Sequence, residues 1–148
     1  MYILDTNVIS ELRKAKKTHP NVRKWAERVA SASLYISVIS ILELEIGILL
    51  IGRRDKDRRD KEQSAILREW MDRHVLPTFS GPILAIDTDV ARRCATLHVP
   101  TLHVPNPRSD RDALIAATAL VHGLTVATRN VSDLERTGVG IFLNPWEA

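Results

Sequence analysis

The chain has 148 residues, 45% hydrophobic and 26% charged, a balance that supports a packed core without disulfide or metal staples and excludes disordered and fibrous classes. Its net charge of +3 and pI near 9.3 favour anionic partners such as phosphate backbones, and no apolar run reaches the roughly 18 residues of a membrane span. The single cysteine, Cys94, excludes an intrachain disulfide, a Cys-rich zinc site and a dithiol redox pair, and reads as buried filler. With no secretory signal in Met1 to Asp5, the expectation is one cytoplasmic domain spanning 1–148.

The first aliphatic run, Tyr2 to Leu4, reads as a strand; Asp5 follows it directly, and Thr6-Asn7 leads into a helix. Val22 to Ala30 reads as a second helix and Leu34 to Ser37 as a second strand. Val38 to Ile51 is apolar almost all round and predicts a helix buried in the core. The run Arg53 to Glu62, dense in alternating charge, predicts a solvated connection to a helix over Lys61 to His74. A strand over Ile83 to Ile86 and a helix over Asp89 to Leu97 come next. A loop from about His98 to Ser109 carries the duplicated pentapeptide Thr96-Leu97-His98-Val99-Pro100 and Thr101-Leu102-His103-Val104-Pro105. Ala113 to His122 reads as a helix whose Ala113 to Leu120 stretch is apolar almost all round and so buried. Thr125 to Ala127 and Ile141 to Leu143 close the series as strands, with Thr128-Arg129-Asn130 and Asp133 between them. Strands alternating with helices predict an α/β fold with a mostly parallel central sheet of about five strands, flanked by helices on both faces.

In such sheets function gathers beyond the carboxyl ends of the strands. Four segments deliver an acid or amide there: Asp5, Glu43 inside an apolar helix, Asp112 opening another, and Asn130 with Asp133 after the fourth strand. Carboxylates held together repel, and a divalent cation resolves the conflict. An all-oxygen set without cysteine or paired histidines selects Mg²⁺ or Mn²⁺ over zinc, and a phosphodiester as the bond such a site hydrolyses. A capping role competes at each position. Asp5 reads equally as the cap of the first helix, and Ser40 to Glu43 and Ser109 to Asp112 both fit the capping-box spacing. His19, His74 and His122 sit near helix ends and read as structural, Thr118 as bonding a carbonyl one turn back, and Trp25, Trp70 and Trp146 as core or interface.

The segments Ile3 to Glu11 (ILDTNVISE), Ser37 to Gly47 (SVISILELEIG), Asp112 to Ala119 (DALIAATA), Ala127 to Asn130 (ATRN) and Asn144-Pro145-Trp146 resemble the PIN-domain nucleases, and within them the FitB-like branch of VapC-type toxins. The resemblance implies a PIN-like fold, Mg²⁺ or Mn²⁺ as cofactor and endoribonuclease activity on RNA. It also implies a homodimer inhibited by a cognate antitoxin, with which it forms a larger complex on operator DNA. Carried over by motif, Asp5, Glu43 and Asp112 are the metal-binding acids and Thr6 supports Asp5. Asp133 and Asn130 compete for the fourth position, beside Thr128. Two other readings stay open: a noncatalytic RNA- or protein-binding module whose acids are caps, and a receiver-like phosphoacceptor, which lacks the paired acids that chemistry uses after the first strand.

Overall fold

Two-residue alternation along the strands explains how the sheet is sandwiched. In the computed structural model, which describes residues 1–53, 58–79, 83–99, 110–131 and 141–148, Ile3 and Leu4 are both without exposed surface yet belong to different cores. Ile3 packs with Val90, Leu97, Ile115, Ala116 and Val126; Leu4 packs with Val8, Trp25, Ile36, Leu44 and Met71. A strand buried on both faces carries no polar side of its own, and each such side chain adds roughly 1.5–3 kcal/mol of burial.

The strands are β1 (Tyr2–Leu4), β2 (Leu34–Ser37), β3 (Ile83–Leu84), β4 (Thr125–Ala127) and β5 (Phe142–Leu143), in the order β3-β2-β1-β4-β5. Every pairing is parallel, with Leu4 opposite Ile36 on one side and Ala127 on the other. All carboxyl ends therefore lie along one edge. The chain winds outward in both directions from β1 and β4, which makes their junction the switch point where α/β sheets open a crevice.

The helices are α1 (Thr6–Leu12), α2 (Pro20–Arg28), α3 (Val38–Arg53), α4 (Arg58–Trp70), α5 (Leu76–Thr78), α6 (Thr88–His98) and α7 (Asp110–His122). A π-helical turn, Met71–Val75, joins α4 to α5 and buries both its end residues. His19 caps α2 through Nδ1, 3.2 Å from the Asn21 N–H, as its position at a helix end predicts. Gly123, at φ 66, ends α7: its N–H reaches the Leu120 carbonyl (3.3 Å) and that of Leu124 the Ala119 carbonyl (2.8 Å). That paired closure needs a left-handed residue, which glycine supplies without steric cost.

Two expectations are corrected. The apolar helix α3 is not buried all round: Leu42, Ile46, Leu49 and Leu50 are exposed, so hydrophobicity on that face marks a surface. The charged run is not a connection along its length either, because Arg53 ends α3 and Arg58 to Glu62 already lie in α4. Repeating charge at helical spacing suits a solvated helix as well as a loop. The duplicated segment from Thr101 through Pro105 and the rest of the loop to Ser109 lie outside the described residues.

Candidate active site

Asp5 stands where β1 ends. Its N–H donates to the Ala127 carbonyl at 2.9 Å, adding one rung to the β1–β4 ladder, and Thr128 N–H does the same to Leu143 at 2.9 Å. The two residues thus sit side by side at the switch point. Asp5 Oδ1 accepts the Thr6 N–H at 2.8 Å and caps α1, so the capping role is real; Oδ2 is left to face its neighbours. Thr128 Oγ1 donates to Oδ2 at 2.8 Å, and Asn7 Nδ2 adds a longer bond at 3.3 Å. A hydroxyl has one proton, so Thr128 Oγ1, having used it on Asp5, accepts from Asn130 N–H at 3.1 Å and Asn7 Nδ2 at 3.4 Å. Asn7 Oδ1 in turn receives the Arg129 N–H at 3.4 Å.

Glu43 arrives from α3. The same one-proton argument gives Thr6 Oγ1 to Glu43 Oε1, at 2.9 Å, and makes fully buried Ser40, 3.3 Å away, the donor to Thr6. The capping box proposed for Ser40 and Glu43 is therefore not formed. Ser37 caps α3 instead, its Oγ accepting the Ile39 N–H at 3.0 Å, which places Ser40 inside the helix on the face that carries Glu43. Glu45, two residues on, points elsewhere and pairs with Arg68 at 2.7 Å, tying α3 to α4.

Asp112 is half-buried in the first turn of α7, which packs on β1, β4 and α3. Since the Gly123 end of α7 feeds the start of β4, its opposite end, with Asp112, lies toward the carboxyl edge of the sheet. Thr118 of that helix donates to the Leu114 carbonyl at 2.7 Å, as the sequence predicts. The structure thus joins Asp5, Thr6, Glu43, Thr128 and Asn130 in one hydrogen-bonded chain and brings Asp112 in on a separate element. Asp133 lies outside the described residues, as does Ser109 of the second capping box.

A PIN domain model matches residues 2–139. The chain belongs to the PIN-domain family.

Similar proteins include Plasmid stability protein StbB of Pseudomonas syringae pv. tomato, 36% identical over 150 residues and covering 100% of both chains. VapC ribonuclease Y4jK of Sinorhizobium fredii is 36% identical over 149 residues, and Toxin FitB of Neisseria gonorrhoeae 34% over 148, each covering 99% of both chains. Among solved structures, FitAB bound to an IR36 DNA fragment superposes with a TM-score of 0.81 at 32% identity, over 99% of this chain and 96% of that one. The FitAcB structure from Neisseria gonorrhoeae gives the same TM-score and identity over 100% of both.

The donor set of this PIN chain suits a hard divalent cation. Asp5 is 8% exposed and is met only by neutral donors, and among the described residues no basic side chain pairs with it or with Glu43. No three of the described Asp, Glu, His and Cys side chains converge into one ligand group. Mg²⁺ does not need them to, since it is commonly held by one or two carboxylates and keeps several waters.

Two members of the polar chain, Asn7 and Ser40, were read from the sequence only as helix-start residues and not as part of the site. Asn7 is two residues past Asp5 and Ser40 one helical turn before Glu43, and those spacings were the available signals. A contact at the same edge also went unread: the Arg129 guanidinium lies 5.3 Å from the centre of the Trp146 ring.

Proposed function

We propose that the chain is a divalent-metal-dependent endoribonuclease and the toxin of a toxin–antitoxin pair. The observation that carries the reading is the pair Asp5 and Glu43, two carboxylates from separate elements coupled through Thr6 beside the switch point, with neutral donors and no basic partner among the described residues. Asp5, Glu43 and Asp112 would hold Mg²⁺, for which Mn²⁺ substitutes, and Asp133 or Asn130 completes the set through water. When bound, the cation supplies a Lewis acid for the phosphate and an acidified water. Thr128, Asn7 and the Thr6 N–H orient Asp5, while Thr6 and Ser40 orient Glu43. Glu43 Oε2 is the atom we assign to take the proton of the attacking water.

RNA is the substrate class supported by the ribonuclease named among the relatives, and the toxin reading by the FitB similarity. The likeness to a DNA-bound FitAB structure supports an antitoxin partner and an assembly on operator DNA. The exposed face of α3, with Leu42, Ile46, Leu49 and Leu50, supports a homodimer. The site of action is the cytoplasm.

Calorimetric titration of the full chain with Mn²⁺ tests the reading. Saturable binding that is lost in Asp5→Asn and weakened in Asp112→Asn is expected; binding indifferent to both substitutions would leave the acids as helix caps and favour a noncatalytic module.

A further inference from the structure

Arg129 is exposed, follows Thr128 directly, and is fixed at both ends. Its N–H is bonded to Asn7, whose side-chain amide reaches Asp5, and its guanidinium lies over the Trp146 ring. Trp146 is itself held on both sides of its backbone. Its N–H donates to Asn144 Oδ1 at 3.0 Å, and its carbonyl accepts Asn21 Nδ2, at the start of α2, at 2.6 Å. Asn144 follows β5, so the C-terminal Asn144-Pro145-Trp146 segment returns to the same sheet edge as Asp5 and Thr128. An arginine held over an aromatic ring by its charge can still donate its N–H groups, and a guanidinium fork grips a phosphate bidentately. A flexible lysine at this place would not be pre-set in that way.

We infer that Arg129, held over the Trp146 ring, is a phosphate clamp: it binds a backbone phosphate flanking the scissile one and so sets how the RNA strand enters the acidic site. The proposal rests on the ribonuclease reading above. Arg129 acts here on substrate binding and orientation, and Trp146 is a positioning residue that acts through it. The contact with Trp146 also accounts for a positive charge being useful next to a cation site. With the guanidinium parked over the ring, the strand receives a positive contact on its flank while the carboxylates keep theirs for the metal.

The test uses the full chain in an Asp112→Asn background, so that RNA is bound without being cut, and a fluorescein-labelled single-stranded RNA oligonucleotide followed by anisotropy over a series of KCl concentrations. Arg129→Gln should weaken binding on the order of tenfold and flatten the slope of log K against log [salt] by about 0.7, the share of one single-strand phosphate contact. Arg129→Lys should recover the slope and only part of the affinity. Trp146→Leu, with the charge retained but its platform removed, should keep the slope while weakening binding. In the active background Arg129→Gln should raise KM with little change in kcat, as loss of uniform binding does. Thermal melting checks that the substitutions leave the fold intact, at exposed Arg129 and at Trp146, which is half-buried against the Leu4 core. An unchanged slope and KM in Arg129→Gln, with the parent binding RNA, would overturn the clamp and leave the nuclease reading standing. A parent chain that neither binds nor cuts RNA would overturn both.

Discussion

Thr128 offers the sharpest perturbation, because its Oγ1 is the hub of the polar chain and Val replaces it without changing volume. Thr128→Val removes the 2.8 Å bond to Asp5 Oδ2 and the acceptor of the Asn130 N–H, leaving Oδ2 with only the 3.3 Å bond from Asn7. A hydrogen bond to a charged group contributes about 1.5–3 kcal/mol, and Asn130 is exposed enough for water to replace its partner. For a chain of this size, a loss of about 2 kcal/mol lowers Tm by roughly 4–8 °C. Loss of a partner that orients a metal-binding carboxylate costs on the order of 10–100-fold in metal affinity or activity. Melting curves in EDTA isolate the first effect; Mn²⁺ calorimetry and RNA cleavage measure the second. Thr118→Val is the control, since Thr118 is equally buried but bonds only to its own helix, at Leu114. It should cost under about 1 kcal/mol and leave cleavage unchanged. If Thr128→Val lowers Tm yet keeps parental Mn²⁺ affinity and cleavage, Thr128 serves the fold alone and the coupling argued for Asp5 is wrong.

Glu43→Gln should lower RNA cleavage on the order of a hundredfold with the melting temperature nearly kept, whereas Ser40→Ala, one bond further out, should cost on the order of tenfold; equal rates in both would remove Glu43 from the site. Glu11 predicts an acid-dependent stability: the Lys14 ammonium at 2.6 Å and then the His19 N–H at 2.8 Å hold its carboxyl below the usual range, against the opposing effect of burial. A depressed folded-state value means the unfolded chain binds more protons. The contribution is complete above the ordinary glutamate value of about 4.3 and disappears as the pH falls through the lower folded value. Denaturant melts from about pH 6 down to about pH 3 should show the parent losing more stability than Glu11→Gln, and parallel curves would contradict this. Leu49→Lys, at a side chain 60% exposed, should leave Tm nearly unchanged but shift the mass seen by light scattering from dimer to monomer; a variant that stays dimeric would place the interface elsewhere.

The parallel sheet was legible because its strands are buried on both faces and appear as short aliphatic runs such as Tyr2 to Leu4 and Thr125 to Ala127, whose bounds the structure reproduces. Asp5, Glu43 and Asp112 were legible as polar residues in places that apolar elements otherwise fill. Their competing cap roles were not separable by spacing: Asp5 does cap α1 while also facing Thr128, whereas Ser37, not Ser40, caps α3. The hydroxyl and amide links through Ser40 and Asn7 depend on which side chains three elements bring together, and small polar residues have too many local uses for sequence to assign them. Hydrophobic pattern likewise cannot distinguish a helix face that meets the core from one left at the surface, which is why the exposed half of α3 was expected inside. The Arg129–Trp146 contact joins the end of β4 to the tail after β5, a pairing that only the sheet order creates.

Cleavage of RNA by the purified full chain, followed in Mn²⁺ and in EDTA beside Asp5→Asn, tests the central claim most directly. Cleavage that requires the metal, returns when Mn²⁺ is restored after chelation, and is absent in Asp5→Asn is the predicted result; equal cutting in EDTA, or by Asp5→Asn in Mn²⁺, would contradict it.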